Sequence, residues 1–86
     1  MRIAKGKQFE KQYKKLSPKI QKKFTERLKL FLEDKNHPLL HAHGLAGKYK
    51  SLHSFNVSAD IRTIFDDSYD DMIILVYIGS HRELYA

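Results

Sequence analysis

An α+β fold, a helical hairpin packed on a small, mainly antiparallel sheet, is predicted by three observations. Apolar residues in the first 35 positions recur at helical spacing, and those after Lys50 alternate or run as β-branched blocks. The breakers Asn36-His37-Pro38 separate the two regimes. A chain of 86 residues is too short to divide its core, so residues 1–86 are expected to form a single domain.

The elements follow in order. Phe9, Tyr13 and Leu16 recur at i, i+4 and i+7 and predict a short first helix ending near Leu16. Ser17-Pro18 supplies a capping oxygen and a proline at the first helical position. Ile20, Phe24, Leu28 and Leu32, widened by Phe31, carry a second helix to about Asp34. A helix-turn-helix that reads DNA is disfavoured by a connection without glycine and by the β-rich chain that follows. Leu39 to Lys48 holds Gly44 and Gly47 and no sustained period, and is expected to be a loop.

Leu52 to Val57 alternates with period two and Ile61 to Phe65 is β-rich, with Ser58-Ala59 as a tight hairpin turn between them. Met72 to Ile78 is apolar on both faces and predicts a central strand, reached through an acidic turn from Asp66 to Asp71. Its second edge needs a partner, and Arg2-Ile3-Ala4 is the unassigned segment able to provide one. The order is therefore β-α-α-β-β-β. Ser80-His81-Arg82-Glu83 has the form of a capping box, so a short C-terminal turn of helix is expected, with His81 and Tyr85 on one face.

Charge is polarised along this order. Residues 1–35 carry twelve Lys and Arg against four Asp and Glu, and residues 66–86 carry one base against five acids. Such a molecule is drawn to polyanions, whether nucleic acid or an acidic protein segment, and the attraction should weaken with salt. The longest apolar run is far short of the roughly 20 residues that span a bilayer. The basic start leads into Phe9-Glu10-Lys11 and not an apolar signal region, so a cytoplasmic protein with no membrane partner is expected.

Several chemistries have no support. Without cysteine there is no disulfide, thiolate metal site or thiol nucleophile. Neither a phosphate-binding glycine loop nor a dinucleotide fingerprint is present. His37, His41, His43, His53 and His81 lack the paired helical spacing of a zinc site, so no metal and no cofactor is expected. The acidic run at 66–71 lacks the glycine and terminal glutamate of a calcium loop. What does recur suits phosphodiester chemistry on RNA, which carries its own nucleophile. Histidines at 43 and 81, Tyr85, Lys48, Lys50 and Arg62 can take the 2′-OH proton, protonate the leaving oxygen and hold the charge that grows on phosphorus. Imidazole, with an ordinary pKa of about 6.5, serves as acid or base around neutrality.

Three stretches carry a resemblance: Leu45 to Val57, Asp60-Ile61-Arg62-Thr63-Ile64-Phe65, and Ile78-Gly79-Ser80-His81-Arg82-Glu83-Leu84-Tyr85. Together with His43-Gly44-Leu45 they resemble the RelE/ParE superfamily of bacterial toxins, and within it the YafQ-like (RelE/StbE) branch. The resemblance implies a RelE-like fold and a type II toxin–antitoxin toxin that cleaves ribosome-bound mRNA without metal. Its implied partners are a cognate antitoxin, the ribosome and mRNA. Carried over by position, it implies His43, His81 and Tyr85 as catalytic, with Arg62 on the scissile phosphate and Asp60 as the acid before that strand. Where YafQ-like enzymes have an Asp-x-His pair, this chain has Ser54-Phe55-Asn56. Lys48, Lys50 and His53 are the candidates to compensate at the substrate. His53 shares strand parity with Phe55 and Val57, however, which points it toward the core. Arg62 similarly shares parity with Ile64, and an ion pair with Asp60 is its purely structural reading. Loss of the pair leaves two alternatives: a ParE-like toxin that binds gyrase without nuclease activity, and a decayed toxin that only binds its antitoxin.

Overall fold

The computed structural model describes residues 1–85. Strand β1 (Arg2–Lys5) leads into helices α1 (Lys7–Lys14) and α2 (Pro18–Glu33). Ser17 caps α2 by accepting the Ile20 N–H at 3.3 Å, and Pro18 occupies its first turn, where no N–H is needed. The two helices form a hairpin fastened by Tyr13, whose ring meets Phe24 edge-on at 5.5 Å and whose carbonyl accepts from Gln21 Nε2 at 3.0 Å.

Four further strands follow: β2 (His43–Gly44), β3 (His53–Asn56), β4 (Ile61–Tyr69) and β5 (Met72–Ser80), and the described chain closes with α3 (His81–Tyr85). The sheet order is β1-β5-β4-β3-β2. β1 runs parallel to β5, and the other three pairings are antiparallel. The apolar run at 72–78 is thus the interior strand expected, with the N-terminal segment on its free edge. Where β1 ends, α1 takes over that edge: Gly6 N–H donates to the Leu75 carbonyl at 2.9 Å, and Gln12 Oε1 accepts from the Ile78 N–H at 2.9 Å.

Three local expectations are corrected. The stretch from Leu39 to Lys48 is not a plain loop, since it holds single 3₁₀ turns at Pro38–Leu40 and Gly47–Tyr49 on either side of β2. The β3–β4 turn spans Val57 to Asp60, closed by Val57 N–H on the Ile61 carbonyl at 2.8 Å and by the Ser58 hydroxyl accepting from Ile61 N–H at 3.2 Å. The acidic turn is also shorter than expected. β4 continues to Tyr69 and only Asp70-Asp71 separate it from β5, because register shifts after Ile64 and after Asp66 let the strand twist onward.

Helices cover one face of the sheet. Phe9 packs on Phe24 at 5.5 Å, and Phe31 reaches both Phe55 at 5.2 Å and Phe65 at 4.9 Å. Leu75, Ile78 and Val57 complete this core and are fully or almost fully buried. Among the described residues no helix is long and apolar enough to cross a membrane.

Candidate active site

Side chains directly opposed across an antiparallel pair point to the same side, and successive residues alternate. The register therefore sorts the sheet. Phe55, Thr63 and Ile78 form a row on the helix side; His43, Ser54, Ile64 and Tyr77 form a row on the other, and Asn56, Arg62 and Gly79 form the next. His43 and Arg62 thus belong to the face the hairpin leaves uncovered. Strand spacing of about 4.8 Å puts His43 roughly 14 Å from Tyr77 along its row.

That face is partly covered by α3. A methyl group on Gly79 would meet Glu83 Oε1 at 3.3 Å and Leu84 Cδ2 at 3.6 Å, so glycine lets the last turn lie against the strand end. Ser80 and Glu83 form the predicted capping box: Ser80 N–H donates to Glu83 Oε1 at 2.8 Å, and Glu83 N–H donates to Ser80 Oγ at 3.1 Å. The Ser80 N–H on its carboxylate, first, and the neighbouring Ser80 hydroxyl hold the Glu83 carboxyl below the ordinary carboxylate range. His81 N–H is fixed on the Asp60 carbonyl at 3.0 Å, which ties the start of α3 to the β3–β4 turn. The geometry leaves the His81 and Tyr85 rings 4.6 Å apart and tilted by 50°.

Two tyrosines complete the cluster, and sequence reasoning missed both. Tyr49 stands 5.8 Å from Tyr85 and 5.6 Å from Tyr77, and its hydroxyl donates to the Leu84 carbonyl at 2.6 Å. Lys48 Nζ lies 5.1 Å from the centre of the Tyr49 ring, within cation–π range. A tyrosine within an otherwise aliphatic strand was a signal for Tyr77. Nothing local marked Tyr49, whose 3₁₀ turn is reached through Gly47 at φ +64°.

The remaining candidates separate. Arg62 Nη1 donates to the carbonyls of Ser58 at 3.4 Å and Ala59 at 3.3 Å, and among the described residues it makes no ion pair with Asp60. Asp60 is exposed and contributes its backbone carbonyl to α3. Lys50 is exposed at the end of its 3₁₀ turn. His43 is exposed at the outer strand, its Nδ1 2.7 Å from the His41 carbonyl. His53 is on the helix side, as parity requires. It stacks on Phe65 at 5.9 Å, with Nδ1 3.2 Å from Asp67 Oδ1, beside a cavity of about 190 Å³ that Phe31 and Lys35 also line. The structure therefore brings His81, Tyr85, Tyr49 and Lys48 together, puts Arg62 and His43 on the same face, and sets His53 apart. Among the described residues no three His, Asp or Glu side chains converge in a way that could hold a metal ion.

A family model described as a bacterial toxin of type II toxin-antitoxin systems, YafQ, matches residues 1–86. A search of curated proteins finds no match. Among solved structures, a YafQ variant from E. coli superposes with a TM-score of 0.79 at 18% identity, covering 100% of both chains. A copper-bound variant toxin from Helicobacter pylori gives 0.73 at 24% identity, covering 98% of each chain. A DinJ-YafQ toxin-antitoxin complex from E. coli gives 0.68 at 22% identity, covering 98% of this chain and 96% of that one.

Proposed function

The chain belongs to the YafQ family of toxins of bacterial type II toxin–antitoxin systems, and from that premise we propose that it is an endonuclease of ribosome-bound mRNA, restrained by a cognate antitoxin. The observation that carries this reading is the His81–Tyr85 pair, 4.6 Å between ring centres, on the side of the sheet away from the helical hairpin, the side that also holds Arg62. In the reaction the RNA 2′-oxygen attacks phosphorus, its proton passes to a base, and the P–O5′ bond breaks as an acid protonates the departing oxygen. No metal is needed for these transfers. His81 is the acid or base, and Tyr85 positions the reacting nucleotide by stacking. Arg62, with Lys48 and Lys50, stabilises the charge that develops on the phosphoryl oxygens. His43, at the outer end of its row, is the second proton-transfer group only for a substrate that crosses the sheet.

Primer extension on a defined message held in bacterial ribosomes tests this. Discrete cuts by the wild-type protein, lost in His81→Ala with ribosome binding retained, are the expected result. Ribosome binding lost to the same extent as cleavage overturns the role of His81. A second reading, a gyrase-binding toxin, is favoured by Ser54 and Asn56 on this face, since neither can move a proton near neutrality. Inhibition of DNA supercoiling with an uncut message would select it. Absence of both, with no growth arrest on expression, would mark a chain that only binds its antitoxin.

A further inference from the structure

We propose that a cationic groove at the β3–β4 end of the sheet, walled by Lys23, Arg27 and His41, binds the phosphates of the single-stranded RNA that flanks the cleaved bond. The proposal rests on the RNA-cleaving reading and extends it to a surface outside the His81–Tyr85 cluster. The groove encloses about 240 Å³ and is closed on its other side by Asn56, Ser58 and Ala59. No carboxylate lines it among the described residues. Lys23 and Arg27 stand four residues apart on α2 and so share one face. Arg27 Nη1 is anchored on the Leu39 carbonyl at 2.8 Å, which uses one of the five donors of its fork and orients the remainder. His41 is held at φ 46°, ψ 43°, in the left-handed region that a side chain disfavours. Its own N–H donates to the Pro38 carbonyl at 3.3 Å. Such conformations persist where surrounding structure over-determines them, and they concentrate at ligand sites.

Continuity with the reactive face selects the ligand. Ser58 and Ala59, which wall the groove, are also the residues whose carbonyls accept from Arg62 Nη1. Asn56, on the same wall, is the cross-strand partner of Arg62. Cations therefore run from α2 over one backbone turn to the arginine assigned to the scissile phosphate. A flexible polyanion with regularly spaced charges satisfies that line, and a mononucleotide does not. The opposite end of the sheet carries Asp66, Asp67, Asp70 and Asp71 around the β4–β5 turn, which repels phosphate, so the RNA has its favourable exit through the groove.

The test is fluorescence anisotropy with a labelled 2′-O-methyl oligonucleotide, which has no 2′-OH nucleophile and stays intact, titrated at several salt concentrations. For Lys23→Gln/Arg27→Gln the expected result is about tenfold or greater loss of affinity, with the slope of log K against log salt reduced by about 1.4. Lys11→Gln/Lys14→Gln, with equal loss of charge on α1, should lose distinctly less, and Arg27→Lys should keep the slope. Equal losses in both double variants, or an unchanged slope, overturn the site. Unchanged RNA binding with lost binding of an acidic peptide overturns it too and assigns the groove to a protein. Failure of the wild-type protein to cut ribosomal messages, with the slope change still present, sinks the nuclease reading and leaves the RNA groove standing.

Discussion

Tyr49 is the residue on which the shape of the candidate site turns. Its 2.6 Å bond to the Leu84 carbonyl is the side-chain bond that joins the 3₁₀ turn at 47–49 to the end of α3, and its ring stands against Tyr85. Tyr49→Phe keeps the ring and removes only the hydroxyl. A net hydrogen bond contributes about 1 kcal/mol, so the variant should lose about that much stability by chemical denaturation. If α3 positions His81 and Tyr85 for chemistry, message cleavage should fall about fivefold while ribosome binding is unchanged. At this scale the sequence was a partial guide. The pairing of His81 with Tyr85 followed from four-residue spacing and a capping box. The inward direction of His53 followed from parity with Phe55. Tyr49 was illegible because its partners are distant in the chain, and a 3₁₀ turn has no period that reveals a face.

Among the elements, α3 is the most exposed to conditions. A five-residue helix has little intrinsic stability, so it depends on its cap and its docking. Ser80→Ala should cost about 1 kcal/mol and speed amide exchange in residues 81–85. Acid should act on the same contact. The Glu83 carboxyl is held below its ordinary value of 4.5, so the stabilisation it gives is present above that value and is lost as the pH falls through the depressed folded one. Protection factors against amide exchange across α3, taken relative to the intrinsic rate at each pH, should therefore fall selectively below about pH 4.5, and Glu83→Gln should flatten that response. β2 was hidden in the sequence for a related reason. Two residues cannot show an alternation, and the strand exists because β3 offers it an edge.

For the whole molecule, Phe31 joins the layers. Its ring stacks on Phe55 of β3 and meets Phe65 of β4 edge-on, and so fastens α2 to two strands at once. Phe31→Ala should cost about 3–5 kcal/mol, a large share of the roughly 5–15 kcal/mol that holds a domain together. Thermal denaturation should show a fall in Tm far larger than that of any groove variant. The sequence by itself determined the order of the two hairpin helices, the four strands other than β2 and the C-terminal turn, with the polarity of charge from end to end, because helical and strand periods are properties of local backbone geometry. Only the tertiary structure decided that Tyr49 and Tyr77 join His81 and Tyr85, that Arg62 bonds the β3–β4 turn and not Asp60, and that Lys23, Arg27 and His41 line one groove. These proximities depend on strand register and on how the layers dock, and contacts between segments distant in the chain leave no periodic trace in it.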